Sequence, residues 1–157
     1  MKFNQKIAAL IAIIISVSIF SMPILAIDQP YMEAAKKDLD SAMKYLKKAD
    51  ADKGGHRQKA MDLTAEAIKS VKDGIAYDKK NPNNRPGRNS NFDENNLVTN
   101  NASDQPNMVK AKEYLQAALN NLQKATNDKG GFRVKAMAQV REAIVAVNAG
   151  IAYDRNH

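Results

Sequence analysis

The chain contains no cysteine and no tryptophan, and only two histidines. Disulfide frameworks, Cys-ligated zinc, iron–sulfur clusters and cysteine nucleophiles are therefore excluded. Aromatic residues make up 6% of the chain, which leaves little for a stacking platform. No segment alternates polar and apolar residues with a period of two, so strands are not expected. No His-x-x-x-His, His-Glu-x-x-His or Glu-x-x-His pair occurs, and a di-metal site in a bundle would lack its ligands.

What is present is a chain of 157 residues, 44% hydrophobic and 26% charged, with a formal net charge of +7. The first 26 residues hold a disproportionate share of the apolar side chains and read as a secretory signal. Lys2 and Lys6 supply a positive start, and residues 7–20 form an apolar run broken only by Ser16 and Ser18. Met22-Pro23-Ile24-Leu25-Ala26 then provides a helix breaker and a small residue, and cleavage after Ala26 is expected. The competing reading is a retained anchor, since the run approaches the roughly 20 residues a spanning helix needs. Membrane contact is expected only in that uncleaved case. Without a cysteine after the apolar run, lipoprotein processing is excluded. Loss of Lys2 and Lys6 takes the charge from +7 to +5, so the mature chain stays basic. The expected destination is the periplasm or the exterior.

The rest of the chain is a duplication. Asp28-Gln29-Pro30 returns 76 residues later as Asp104-Gln105-Pro106, and Asp52-Lys53-Gly54-Gly55 returns as Asp128-Lys129-Gly130-Gly131. Gly74-Ile75-Ala76-Tyr77-Asp78 returns as Gly150-Ile151-Ala152-Tyr153-Asp154, and 28 of the 51 positions from Asp28 to Asp78 are identical in the second copy. Such a repeat is one structural unit used twice. The expected organisation is a signal at 1–26, a hairpin at 27–78, a linker at 79–103 and a second hairpin at 104–157. Nine of the 25 linker residues are Asn, and its apolar residues are few and isolated, so it is expected to be disordered.

Within each copy the spacing predicts two helices. Met32, Ala35, Leu39, Ala42, Leu46 and Ala49 follow three- and four-residue steps, as do Met108, Ala111, Leu115, Ala118, Leu122 and Ala125. Pro30 and Pro106 suit a first helical turn, with Asp28 or Gln29 as candidate caps. The second helix carries Ala60, either Leu63 or Thr64, Ala67, Val71, Gly74 and Ile75, and its copy carries Ala136, Ala143, Val147, Gly150 and Ile151. A hairpin of about 50 residues with one apolar stripe is too small to stand alone. The expected fold is therefore all-α, an antiparallel four-helix bundle of two repeated hairpins. It forms within one chain, or by hairpin exchange in a homodimer.

Two residue sets carry the functional reading. The first is the loop motif, Lys53, Gly54, Gly55 and Arg57 with Lys129, Gly130, Gly131 and Arg133. Glycine supplies positive φ for the turn, Asp52 is placed to accept amides of the next helix, and Arg57 to reach the end carbonyls of the first helix. The sharper alternative is an anion site built from the glycine amides and the basic side chains. The second set is Lys59, Glu66 and Tyr77 with Lys135, Glu142 and Tyr153, identical in both copies although they lie roughly opposite the apolar stripe. They either touch another element of the bundle or form a surface for a partner. Gly74 and Gly150 suggest close approach of a neighbouring helix. Asp78 and Asp154 lie on the core side of a helix end, where a carboxylate needs compensation.

His56 is replaced by Phe132 in the second copy, a pattern that packing explains better than ligation. The unit Gln-Pro-x-Met … Asp-Lys-Gly-Gly-His-Arg-x-x-Ala … Ala-Ile … Gly-Ile-x-Tyr resembles a family of small exported bacterial helical-hairpin proteins without an established function. The resemblance covers Gln29 to Asp78 and Gln105 to Asp154, with Phe132 as a departure. It implies an exported helical protein and no particular chemistry. No residue is assigned as catalytic, because Ser41 and Thr64 occur in one copy only and have no His–Asp partner in pattern. The expected function is non-enzymatic binding of a protein or of an anionic component of the bacterial envelope. Nucleic acid is not expected as a partner, since export separates the chain from it. No cofactor is assigned. The alternative is a metal- or cofactor-holding bundle, with Met32, Met43, Met61, Met108 and Met137 as soft donors for copper(I).

Overall fold

The computed structural model describes residues 29–51, 54–81, 105–125 and 130–155. The expected signal and residues 82–103 of the expected linker lie outside the described residues. The described residues form four helices in order: α1 (Gln29–Lys48), α2 (His56–Lys80), α3 (Pro106–Lys124) and α4 (Phe132–Arg155). No strand occurs among the described residues. The bundle is all-helical, with its closest packing between α1 and α3 and between α2 and α4. The helices within each hairpin pack less extensively, and the backbones of the diagonal pairs α1/α4 and α2/α3 do not approach closely.

Both cross-hairpin pairs run antiparallel. Asn107 Nδ2, in the first turn of α3, donates to the carbonyl of Lys48 at the end of α1 (3.1 Å). Further along, Asn121 Nδ2 donates to Asp38 Oδ2 at 2.8 Å, and the Tyr45 and Tyr114 rings stack with centroids 5.5 Å apart. At one end of the bundle Gly54 meets Tyr153, and at the other Gly130 meets Tyr77. These contacts relate the copies by an approximate two-fold axis.

That register explains the core. Met32, Ala35, Leu39, Ala42, Leu46 and Ala49 are all buried, as are Met108, Ala111, Leu115, Ala118, Leu122 and Ala125. Large and small residues alternate along both helices, and the antiparallel register sets each large one level with an alanine. In the register set by those contacts, Leu39 falls level with Ala118, Ala42 with Leu115, and Leu46 with Ala111. Interdigitation of this kind fills the space between close helices without voids. The 3.5-residue repeat is the one that keeps a seam facing its partner along a left-handed supercoil.

Pro106 opens α3, where a missing N–H costs nothing. Gln105 occupies the position before it, buried and making no side-chain cap bond. On α2 the core position is Thr64 rather than Leu63, because the Thr64 hydroxyl donates to the Ala60 carbonyl (2.7 Å) and is satisfied within its own helix. Val140 holds the equivalent, fully buried place in α4. Gly74 and Gly150 are buried inside their helices. The α2–α3 connection leaves one end of the bundle and returns at the other. The helix it must pass is about 37 Å long at 1.5 Å per residue, well within reach of the 23 residues between Asn81 and Gln105.

Substitution tests the large-against-small seam. Leu115→Ala is expected to cost about 2–5 kcal/mol and Ala42→Leu about 1–3 kcal/mol in urea unfolding. The double variant should be more stable than the two losses combined, because the new leucine occupies the space the old one vacated.

Candidate functional site

The loop glycines, the two repeated arginines and the two tyrosines come together at the ends of the bundle. Gly54 and Gly55 have φ of +58° and +77°, and Gly130 and Gly131 have +61° and +77°. All four sit in the left-handed region that L side chains avoid. The two glycines of each pair differ in surroundings. A Cβ on Gly54 would lie 2.8 Å from Cδ2 of Tyr153, and one on Gly130 would lie 2.9 Å from Cδ2 of Tyr77. Nothing stands within 4 Å of the corresponding point at Gly55 or Gly131. Each tyrosine therefore lies against the bare backbone of the opposite hairpin's loop.

Tyr77 also packs against Phe132, ring to ring at 6.4 Å and tilted by 59°. His56 is half-buried at the equivalent position of the first copy. Arg57 reaches back across its loop, with Nη1 donating to the carbonyls of Ala49 (3.1 Å) and Leu46 (3.4 Å). Arg133 does the same toward the Leu122 carbonyl at 3.0 Å. Both guanidiniums satisfy carbonyls left open at a helix C-terminus, where positive charge is also favoured. Arg133 is buried, and desolvation lowers its pKa. Gly55 stands at the start of α2 with no side-chain cap bond. Asp52, Lys53 and Lys129 lie outside the described residues.

The second set divides. Tyr77 and Tyr153 are half-buried in the contacts just described. Glu66 is exposed, and one of its carboxylate oxygens accepts from Gln139 Nε2 at 2.9 Å. The carbonyl oxygen of that same Gln139 amide accepts from the buried Ser70 hydroxyl at 2.8 Å. Lys59, Lys135 and Glu142 are exposed. All of them lie on a second seam of α2 and α4, at 56, 59, 63, 66, 70, 73 and 77 and their copies, which steps by three and four like the first. Asp78 and Asp154 are half-buried at the ends of their helices.

A basic surface that the duplication does not repeat lies at the end of α1. Lys44, Lys47 and Lys48 are exposed, and together with Asp40 and Met43 they line an open depression of about 500 Å³. Lys48 Nζ stands 5.7 Å from the centre of the Tyr45 ring, in the stacked pair with Tyr114. Lys110, on the facing first turn of α3, is paired with Glu113 at 2.6 Å, and Asp40 with Lys36 at 2.9 Å. No ion pair engages Lys44, Lys47 or Lys48 among the described residues. The second copy carries Asn120 and Gln123 where the first has Lys44 and Lys47. In the sequence it is marked only by the string Lys44-Tyr45-Leu46-Lys47-Lys48, which the second copy does not preserve in full.

Among the described residues, no group of three or more His, Asp or Glu side chains is placed to hold a metal ion. No described helix is long and apolar enough to cross a membrane. Comparison of the chain with protein-family models, curated proteins and solved structures finds no match.

The two glycines of each loop make separable predictions. Gly55→Ala should lower stability by about 1–2 kcal/mol, the cost of a left-handed L residue. Gly54→Ala should cost more in the same urea titration, because it must also displace the Tyr153 ring. In a Tyr153→Ala background that excess should disappear.

Proposed function

We propose that this protein is an exported, non-enzymatic helical bundle of the bacterial envelope or periplasm that binds an anionic partner through the basic end of α1. The observation that carries this reading is the cluster of Lys44, Lys47 and Lys48, exposed around one open depression and engaged by no ion pair among the described residues. Unneutralised cations that share one face create a local positive potential and speed the approach of an anion. Their clustering at a helix C-terminus also helps the helix itself. That contribution accounts for Lys47 and Lys48 in the last turn better than for Lys44, a turn earlier. An open depression suits a polymer or a charged surface rather than a small molecule enclosed on all sides.

The binding test uses the mature chain, with anionic phospholipid vesicles in one arm and soluble polyphosphate in the other. Lys44→Gln/Lys47→Gln/Lys48→Gln should weaken binding by roughly 100-fold, given about 1 kcal/mol per lysine at an anionic surface. Raising salt from about 50 mM to about 500 mM should weaken the parent protein similarly by screening. Binding unchanged by either step would overturn the reading. The arm that responds identifies a lipid headgroup or a free polyanion as the ligand.

Export has its own check. Expressed with its leader in a bacterial host, the chain should be recovered outside the cytoplasm with Ile27 at its N-terminus. An unprocessed chain held in the membrane fraction would instead support the retained anchor.

A further inference from the structure

The approximate two-fold axis makes each cross-hairpin contact the counterpart of another, and the counterparts can be compared. Those at the bundle ends are the same in kind: Tyr77 lies over Gly130 as Tyr153 lies over Gly54. The Met/Leu–Ala seam is also common to both copies. Four other pairs are not. Tyr45 stacks on Tyr114, and the counterpart of that pair is Asp38 with Asn121, joined by a hydrogen bond. Ser70 bonds to Gln139, and the counterpart of that pair is Leu63 with Ala146. In sequence, position 38 became Tyr114 and position 45 became Asn121 in the second copy, while 63 became Gln139 and 70 became Ala146. The differences thus fall in complementary sets.

We infer that the two hairpins are matched to each other, and that each fits the opposite copy and not its own kind. Two first-copy hairpins paired in this geometry would set Tyr45 against Asp38 twice and Ser70 against Leu63 twice. Two second-copy hairpins would set Tyr114 against Asn121 twice and Gln139 against Ala146 twice. Ser70 and Gln139 are buried at 3% and 8% exposure, and a like pairing would break the bond between the Ser70 hydroxyl and the Gln139 carbonyl oxygen and set each against an apolar side chain. Asp38 would lose the donor that now offsets its burial, whose desolvation already raises its pKa. The shared seam supplies affinity in any pairing, and the diverged pairs penalise the wrong ones, which is how selectivity is built between similar surfaces. A second copy of this chain can therefore be engaged only by reciprocal exchange, first hairpin to second.

The test uses the full mature chain with a specific protease site introduced between residues 82 and 104, cut once after folding. The cut protein is unfolded in urea, refolded, and its pairings counted by native mass spectrometry. Random pairing gives mixed and like pairs in equal total amount. The expected result is at least a tenfold excess of mixed pairs over like pairs, and equal amounts would overturn the inference. Tyr114→Asp/Asn121→Tyr converts the second hairpin to the first hairpin's pattern at one locus. It should lower that excess severalfold while helical circular dichroism is retained. An unchanged excess in the folded variant would refute the role of these pairs. If the variant does not fold, the parent's ratio still decides.

Discussion

An alanine set level with a leucine fixes how closely α1 and α3 approach, and the rest of the bundle follows from that spacing. Neither hairpin can bury its own stripe, because a stripe on two helices joined by a tight loop needs a second layer. The duplication supplies one with the same alternation. An antiparallel two-fold arrangement then places large against small at every level. A parallel arrangement in like register would set leucine against leucine and alanine against alanine, leaving clashes and voids by turns. The orientation of the hairpins is thus a consequence of residue size, and the surface hydrogen bonds report it rather than cause it. Exposed pairs such as Lys36–Asp40 and Lys69–Asp73 contribute tenths of a kcal/mol by comparison.

Once the spacing is set, the ends of the bundle must close over short loops. The glycine pair turns the chain through two left-handed residues, and one glycine of each pair has a further task. With no Cβ, Gly54 and Gly130 let a tyrosine ring of the other hairpin pack against the loop backbone. Arg57 and Arg133 close the same ends from within by binding carbonyls that the first helices leave open. Loop, arginine and tyrosine act as one device used twice, and this gives a physical reason for their identity in both copies.

How much of this was legible in the sequence depends on whether a hydrophobic signal marked the element. The stripe from Met32 to Ala49 and its copy read directly as helix, since their period is unbroken. The four-helix architecture followed from the repeat and from the size of one hairpin. The second seam of α2 and α4 was not legible, because His56, Lys59, Leu63, Glu66, Ser70, Asp73 and Tyr77 share a spacing but no polarity. Three of those positions stood out only because they recur. Position 63 or 64 was ambiguous for the same reason: threonine is a poor core residue until its hydroxyl finds the Ala60 carbonyl. The basic depression on α1 was hidden for the opposite reason, since it occurs in one copy and a search for recurrence discards it.

Recurrence and divergence thus mark different physical demands. Residues kept in both copies form the seam, the loops and the closing tyrosines, which any pairing of hairpins would need. Residues that changed do so on two kinds of surface. Inside, at positions 38, 45, 63 and 70, the changes are mutually compensating, so a change in one copy makes sense only beside its partner in the other. Outside, the partners are neighbours on the same helix in weak exposed pairs, such as Gln58–Asp62 and Lys69–Asp73, and the copies drift apart in charge. Lys44 and Lys47 become Asn120 and Gln123, while Gln58 and Lys69 become the exposed Val134 and Val145. A surface under no demand drifts without clustering. Lys44, Lys47 and Lys48, which no ion pair engages among the described residues, gather on one helix end instead, and that departure from drift is what supports the proposed binding face.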